Sequence, residues 1–276
     1  GLIEGGTAGG IFGSYANNLT EGGEITVTDC YSSGNIEGTE AGGIFGYQAN
    51  SRSQGGTIMV TNCYSTGKIG LDHGTDLTKV SHAGGIFGRY ANMESERGAI
   101  TVTNCNSIGN IEGTKAGGIF GGSANNLSKE GGDITVTDCY SSGLIEGQYA
   151  GGIFGGSANW KSKGAIAVTN CYSSGKIGLF YTDVTVKSSA GGIFGQEANL
   201  ESEEGGDITV TNSYSIGKIE GDDAGGIFGG SANYQSQGGA ITVTNCYTMG
   251  NIEGLSGGGI FGQGANRESE GGAITV

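Results

Sequence analysis

The hexapeptide Ala-Gly-Gly-Ile-Phe-Gly occurs seven times in this chain of 276 residues, and an eighth copy reads Gly-Gly-Gly-Ile-Phe-Gly. Five of the seven intervals between neighbouring copies are 33 or 34 residues long. A period of this length is typical of solenoids, propellers and arrays, in which each repeat contacts only its neighbours. The repetition therefore limits the fold more strictly than composition does. The motif isoleucines are Ile11, Ile44, Ile86, Ile119, Ile153, Ile193, Ile227 and Ile260.

Each repeat contains three short β-prone stretches bounded by Gly or Asn: Gly-Ile-Phe-Gly, Ile-Thr-Val-Thr and the stretch around Ile-Glu-Gly. No window has the i, i+3, i+4, i+7 spacing of an amphipathic helix. We therefore predict an all-β parallel β-helix, a right-handed β-solenoid of about eight rungs of 33–34 residues with three short strands per rung. A β-propeller is the alternative, although propeller blades usually have longer repeats and four antiparallel strands.

Stacked rungs place equivalent residues in columns along the rod. We expect the Ile and Val of Ile-Thr-Val-Thr and the Ile of Ile-Glu-Gly to form inward columns, whereas the pattern leaves the side of the phenylalanine column open. The Ala-Asn pair keeps its asparagine in all eight copies. Because Asn tolerates tight turns and stacked amides bond to one another, we predict a structural ladder. Its members are Asn17, Asn50, Asn92, Asn125, Asn159, Asn199, Asn233 and Asn266.

A longer period lies over the short one. The intervals Ile44 to Ile86 and Ile153 to Ile193 are extended, and both insertions follow Lys-Ile-Gly-Leu and contain Thr-Asp-x-Thr. We predict one solenoid domain over residues 1–276, built from a three-rung superrepeat of 108 residues with longer loops at 71–82 and 179–189. Because both ends of the sequence cut through a repeat, we expect a segment of a longer array.

The charge balance makes nucleic acid an unsuitable partner. The formal net charge is −14, the sequence pI is about 4.4, and the sequence has no Lys/Arg cluster that would neutralise phosphates. It has no apolar run long enough to cross a bilayer, so we expect no membrane insertion. We expect no cofactor, with calcium bridged by surface carboxylates as the one alternative.

Six cysteines occupy a single position of the repeat, and Ser213 holds that position in the remaining complete copy. Their spacing is far too wide for a Cys-x-x-Cys metal site. Stacked parallel side chains also fit the disulfide torsion poorly, so we interpret the position as a column of free thiols. Inter-rung disulfides are the alternative. The thiol column comprises Cys30, Cys63, Cys105, Cys139, Cys171 and Cys246.

Tyrosine follows the cysteine position in six copies, and Asn106 takes its place in the third. Exposed tyrosines could stack on sugar rings. We favour the interpretation that stacked aromatic rings stiffen the rod.

Five copies contain an unbroken Thr-x-Thr pair, and period-2 alternation places these threonines outside in two ranks. The array resembles the ice-binding face of β-solenoid antifreeze proteins, although Met59 and Ala167 interrupt one rank. Exposed threonine is also common in strands because of its β propensity. The candidate ice- or ligand-binding face comprises Thr26, Thr28, Thr101, Thr103, Thr135, Thr137, Thr209, Thr211, Thr242 and Thr244.

Catalysis and modification have few candidate residues. The two histidines, His73 and His82, lie in one insertion, and the equivalent second insertion has none. A repeated Ser/His/Asp or Cys/His system is therefore not available, and we predict a non-enzymatic protein. A carbohydrate-binding or polysaccharide-degrading β-helix is the alternative. Two sequons place glycosylation acceptors at Asn18 and Asn126, at equivalent points of the superrepeat.

The succession Gly-Gly-Ile-Phe-Gly, Ile-Thr-Val-Thr-Asn-Cys-Tyr-Ser-x-Gly and x-Ile-x-Gly resembles the GLUG-motif repeats of large secreted and cell-surface adhesin-like proteins. It departs from the usual Gly-Gly-Leu-Val-Gly in its Ile-Phe pair and in a longer polar loop. The resemblance covers almost the whole chain and implies an extracellular β-solenoid without catalytic residues.

We therefore expect an extracellular or cell-surface structural solenoid, an adhesin shaft, stalk or filament subunit. Self-association head to tail or side by side follows from rung stacking, because unpaired strand edges invite pairing. Glycans or a host or neighbouring cell surface are the expected further partners.

Overall fold

The computed structural model describes residues 1–71, 80–178 and 187–276. Throughout these residues the regular secondary structure is β-strand, arranged in three parallel sheets of eight, eight and seven strands. Strands of one sheet are hydrogen-bonded to their counterparts in the preceding and following repeats. The predicted parallel β-helix is thus confirmed, whereas its handedness stays a prediction. We number the rungs 1 to 8, each starting at the first residue of the hexapeptide motif.

Sheet 1 is formed by the Ile-Thr-Val-Thr segments. Its strands pair in register, with Ile58 opposite Ile100 and Val60 opposite Val102. These four side chains are fully buried, whereas Met59 and Thr101, which lie between them, face outward. The strands are Glu24–Thr28, Thr57–Thr61, Ala99–Thr103, Ile134–Thr137, Ile166–Thr169, Ile208–Thr211, Ile241–Thr244 and Ile274–Thr275.

Sheets 2 and 3 follow sheet 1 along each rung. Sheet 2 consists of Tyr31–Ser32, Tyr64–Ser65, Asn106–Ser107, Tyr140–Ser141, Tyr172–Ser173, Tyr214–Ser215 and Tyr247–Thr248. Sheet 3 consists of Leu2–Glu4, Asn35–Glu37, Ile69–Gly70, Ile111–Glu112, Ile145–Glu146, Ile177–Gly178, Ile219–Glu220 and Ile252–Glu253.

The Gly-Ile-Phe-Gly stretch, which we expected to be a strand, is not one. The hexapeptide motif contributes only isolated single-residue bridges, such as Gly42 to Gly84 and Phe45 to Phe87. The backbone bends within the motif, because the N–H groups of Ile44 and Phe45 both donate to the carbonyl of Ile86, at 3.0 and 2.8 Å. The third sheet comes instead from the Tyr-Ser pair.

Close backbone approach explains the two glycines of the motif. A Cβ built on Gly42 would lie 1.8 Å from the carbonyl oxygen of Phe45. One on Gly43 would lie 1.9 Å from the carbonyl oxygen of Gly85 and 2.7 Å from the Ser65 Cβ. No residue larger than glycine fits at either position without moving the backbone. The Gly-Gly pair thus lets the motif pack directly against the inward serines of sheet 2.

The core has two parts. The larger part contains the motif Ile and Phe, the Ile and Val of sheet 1 and the inward cysteines. The smaller part contains the sheet 3 isoleucines and the motif alanines. Phenylalanine rings stack through all eight rungs, with centroids 4.7 to 4.9 Å apart and planes within 9°. The phenylalanine column, whose side the sequence left open, therefore lies inside.

The turn between the motif and sheet 1, here called the asparagine corner, alternates its backbone handedness. In rung 2, Gln48, Asn50 and Arg52 have φ angles of 57°, 56° and 52°. The N–H of Gln48 donates to Arg89 O at 2.9 Å in the next rung, and that of Asn50 donates to Ala16 O at 2.8 Å in the preceding rung. Hydrogen bonds to both neighbours thus hold a backbone conformation that non-glycine residues seldom adopt.

The two extended loops leave sheet 3 at equivalent glycines. Gly70 and Gly178 have φ angles of 106° and 126° where most other rungs carry glutamate. Both Thr-Asp-x-Thr segments, as well as His73, lie outside the described residues.

Candidate functional site

The eight asparagines of the corner form one continuous ladder inside the rod. Each side-chain Nδ2 donates to the Oδ1 of its counterpart in the following rung, at 2.7 to 2.9 Å. The six inner members, Asn50 to Asn233, are fully buried. The Nδ2 of Asn50 also donates to Gly56 O at 3.0 Å, so both of its N–H groups have partners. Because buried polar groups are costly unless paired, this ladder requires Asn in every rung.

A second amide ladder, which we did not predict, lies on the outer surface at the end of sheet 1. The residue before the cysteine position is Asn or Asp in all seven complete copies, and this was the signal for it. Each asparagine Nδ2 donates toward the preceding rung, at 2.8 to 3.3 Å, opposite in direction to the buried ladder. Aspartate cannot donate, and no such bond joins Asp138 to Asn104. The members are Asp29, Asn62, Asn104, Asp138, Asn170, Asn212 and Asn245.

The cysteines lie in one column, and all six are free thiols. Cys63, Cys105, Cys139 and Cys171 are buried, whereas Cys30 and Cys246 are half-buried. The backbone N–H of Cys63 donates to the Sγ of Cys105 at 3.4 Å. In the same way the N–H of Cys171 donates to the Oγ of Ser213 at 3.1 Å, so the serine replaces the thiol functionally.

The surroundings of the Cys63 and Cys139 thiols oppose their ionisation, whereas the hydrogen bond with Cys139 lowers the pKa of Cys105. Burial raises the pKa of the Cys63 thiol to about 11. Hydrogen bonds with the neighbouring Cys105 and Cys171 thiols, together with burial, raise the pKa of Cys139 further. Since the thiolate is the reactive form, a buried neutral column suits a structural role.

The outer threonines form the two predicted ranks on sheet 1. Thr26, Thr135 and Thr209 of the first rank are exposed, and Met59 interrupts this rank with 39 % of its surface exposed. The second rank is unbroken. It comprises Thr28, Thr61, Thr103, Thr137, Thr169, Thr211 and Thr244.

The tyrosines of sheet 2 stack on one another. Ring centroids in successive rungs lie 5.0 to 5.2 Å apart, and the planes are within 8°. Within a stack, neighbouring rings therefore cover each other's faces, and a sugar ring can reach only the ring edges there. Asn106 of rung 3 divides the column into Tyr31–Tyr64 and Tyr140–Tyr247.

The predicted glycosylation acceptors are not on an open loop. Asn126 is 3 % exposed, and Asn18 is half-buried. The Oδ1 atoms of both residues are buried, and no described residue forms a hydrogen bond with either of them. In the folded rod the Asn126 side chain is therefore inaccessible to a glycosyltransferase.

A polar cluster that no repeat pattern indicated joins side chains of rungs 3, 5 and 6. The Nζ of Lys115 donates to Ser157 Oγ at 2.7 Å, and Ser157 Oγ donates to Glu197 Oε2 at 3.0 Å. Burial lowers the pKa of Lys115, while Glu197 favours its charged form. Gly122 and Gly156 leave the space into which these side chains pack. The cluster links residues about 40 positions apart, so the sequence pattern alone does not predict it.

His82 packs beside this cluster and is 2 % exposed. Neither ring nitrogen has a hydrogen-bond partner among the residues that the structure describes. Burial lowers the pKa of His82 to about 2, and the positive charges of Arg89 and Lys115 contribute in the same direction. An imidazole that stays neutral and enclosed at neutral pH is a poor proton-transfer group.

The outer face of sheet 3 carries ion pairs between rungs. Lys68 binds Glu112 at 3.0 Å, and Glu220 binds Lys176 at 2.8 Å. Within residues 1–71, 80–178 and 187–276, no group of three or more His, Cys, Asp or Glu side chains is placed to hold a metal ion. The same residues contain no helix with the length and apolar character that a bilayer crossing needs.

Comparisons of the chain with known protein families, with curated proteins and with solved structures found no match.

Proposed function

We propose that this chain is a rod-forming, non-enzymatic segment of an extracellular structural protein, such as an adhesin shaft, stalk or filament subunit. The observation that carries the proposal is the unbroken stacking of equivalent residues. Seven amide bonds and seven phenylalanine contacts connect rung 1 to rung 8. Because its rungs are equivalent, such a rod presents surface groups at regular intervals along its length.

The location outside the cell is supported by the likeness of the repeat to GLUG-motif repeats, and the four buried thiols are compatible with it. Enclosed, protonated thiols resist the oxidation that exposed thiols undergo in an oxidising compartment.

Immunogold electron microscopy of the source cells, with antibody raised against the folded chain, tests this proposal. We expect label on the outer surface, removed when intact cells are treated with protease. Label confined to the cell interior, in cells shown to be intact, would contradict it.

Self-association of the rods, head to tail or side by side, belongs to the same proposal, as does contact with glycans or a neighbouring cell surface. Parallel strands with open edges pair readily with further strands. Sedimentation of the full-length native protein at increasing concentrations should show growing assemblies. A monomer whose sedimentation is independent of concentration would exclude this part of the proposal.

Ice binding through sheet 1 is a second candidate, favoured by the unbroken second rank of threonines. A regular array of hydroxyl and methyl groups on a flat sheet suits an ordered surface. Thermal hysteresis should then fall when Thr137→Lys is introduced, while Thr66→Lys on another face leaves it unchanged. Absence of hysteresis in the unaltered chain rejects this candidate.

A further inference from the structure

The break in the tyrosine column leaves two aromatic faces uncovered. In sheet 2, Tyr64 of rung 2 and Tyr140 of rung 4 both pair with Asn106 of rung 3. The backbone register therefore continues through the break, and only the ring is missing. The other tyrosines of the column stack at 5.0 to 5.2 Å.

The size of the gap follows from this spacing. Two intervals of 5.0 Å place the rings of Tyr64 and Tyr140 about 10 Å apart, centroid to centroid. That separation accepts one further ring at the stacking distance from both. Tyr64 is 37 % exposed and Tyr140 is half-buried, so the gap opens to solvent.

The surroundings of the gap are suited to a ring with one polar group. Ile108, two residues after Asn106 and just beyond the end of the strand, is 46 % exposed and supplies an apolar side chain next to the gap. Within the described part of the chain the Asn106 side-chain amide has no hydrogen-bond partner. It can donate to or accept from a ligand at the base of the gap.

The chain contains its own filled counterpart of this gap. Rung 6, one superrepeat later, has Tyr214-Ser215-Ile216 where rung 3 has Asn106-Ser107-Ile108. The ring of Tyr214 stacks on Tyr172 and Tyr247 at 5.0 Å, with planes within 4°. Ile216 beside it is 41 % exposed, much like Ile108. Rung 6 thus shows the arrangement that an aromatic ring would complete in rung 3.

We propose that the gap between Tyr64 and Tyr140 is a binding slot for a small planar aromatic compound of phenol size. The ring would stack between the two tyrosines, and its hydroxyl would bond to the Asn106 amide. Aromatic rings favour offset stacking at centroid distances of about 4.5–7 Å, which the slot offers on both faces. A saturated ring lacks the flat π-system that makes this contact favourable. This inference does not depend on where the protein resides or on what it assembles with.

Titration of the folded chain with p-cresol, followed by NMR of the ligand and of the tyrosine ring signals, tests the slot. We expect one site per chain, with signal changes at Tyr64 and Tyr140. Asn106→Tyr fills the slot and should lower the affinity by about tenfold or more, since two stacking contacts are lost. Asn110→Tyr, at an exposed position of the same rung, should bind p-cresol as the unaltered chain does.

A second variant tests the proposal by gain of binding. Tyr214→Asn opens an equivalent gap between Tyr172 and Tyr247 and should raise the stoichiometry from one site to two. Circular dichroism establishes that each variant is folded. The proposal is overturned if folded Asn106→Tyr binds p-cresol unchanged, if Tyr214→Asn remains at one site, or if cyclohexanol or methyl glucoside binds as well as p-cresol.

Discussion

The two ladders both join side-chain amides of successive rungs, but one is buried inside the rod and the other is exposed on its surface. The buried ladder contains eight asparagines and is continuous from Asn17 to Asn266. The exposed ladder includes Asp29 and Asp138 and is interrupted between Asn104 and Asp138. Water can replace a missing partner only at the surface, so the interior ladder tolerates no acceptor-only residue. The comparison indicates that burial, rather than the amide bond itself, makes asparagine necessary.

The largest effect is expected when a carboxylate is placed in the buried ladder. Asn125→Asp removes the bonds that Asn125 Nδ2 donates to Asn159 Oδ1 and Gly164 O, at 2.9 and 3.1 Å. The carboxylate can still accept from Asn92 Nδ2 and Ser128 Oγ, but it has no counter-charge. This buried charge should lower the free energy of unfolding by about 3–5 kcal/mol at pH 7. Asn212→Asp in the exposed ladder is the matched control and should cost about 1 kcal/mol or less. Equal losses in thermal and denaturant unfolding would contradict the comparison.

His82 extends the comparison to a buried group that has no partner. Its folded pKa, lowered to about 2, lies below its usual value of about 6.5 in the unfolded chain. The unfolded state therefore binds the proton first, and stability is lost as pH falls below about 6.5, by up to about 1.4 kcal/mol per unit. The groups beside it are Arg89 and Lys115, with Glu40 paired to Arg89 at 2.8 Å.

Unfolding measured from pH 7 to pH 4 checks this loss. His82→Leu should reduce the pH dependence, because carboxylates titrate alike in both proteins. The same pH dependence in the two proteins would show that His82 is not enclosed as described.

A smaller effect is expected in the thiol column, where a neutral polar replacement is already present. Ser213 accepts from Cys171 N at 3.1 Å, so Cys139→Ser should change the free energy of unfolding by about 1 kcal/mol or less. In the folded chain, a thiol reagent should modify Cys30 and Cys246 first, since the other four are buried. Rapid reaction of all six thiols without unfolding would contradict the enclosed column.

The smallest effect is expected from repair of the exposed ladder. Asp138→Asn supplies a donor for the Oδ1 of Asn104 while keeping the bond from Asn170, which is 3.0 Å long. Because solvent competes for these groups, we expect a gain of about 0.5–1 kcal/mol at most. A lower melting temperature for Asp138→Asn would show that the interruption between Asn104 and Asp138 stabilises the folded chain.

The sequence period predicted the columns well because stacking turns each repeated residue into a line. Inward Ile58 and Val60 and the position of Asn50 followed from alternation and from the Ala-Asn pair alone. The prediction of a strand for the Gly-Ile-Phe-Gly segment was wrong. Its Ile and Phe have high strand propensity. Its backbone nevertheless bends, because the adjacent glycines allow a close approach to neighbouring backbone atoms.

Other features had no local signal. Gln48, Arg52 and Glu197 adopt left-handed backbone conformations although their residue types do not favour them. Hydrogen bonds from neighbouring rungs impose that conformation, and the conformational propensity of a single residue does not include such bonds. The contact of Lys115 with Ser157 likewise joins two positions that vary among the repeats, so only the stacked structure shows it.

Hydrogen exchange of the side-chain amides, followed by NMR, tests the central claim about the two ladders most directly. The Nδ2 protons of the six buried asparagines, Asn50 to Asn233, should exchange slowly, on the timescale of the protected backbone amides around them. Those of Asn62, Asn104, Asn170, Asn212 and Asn245 should exchange far faster, because water reaches them. Equal exchange rates in the two sets would contradict the claim that the buried amide ladder connects the rungs.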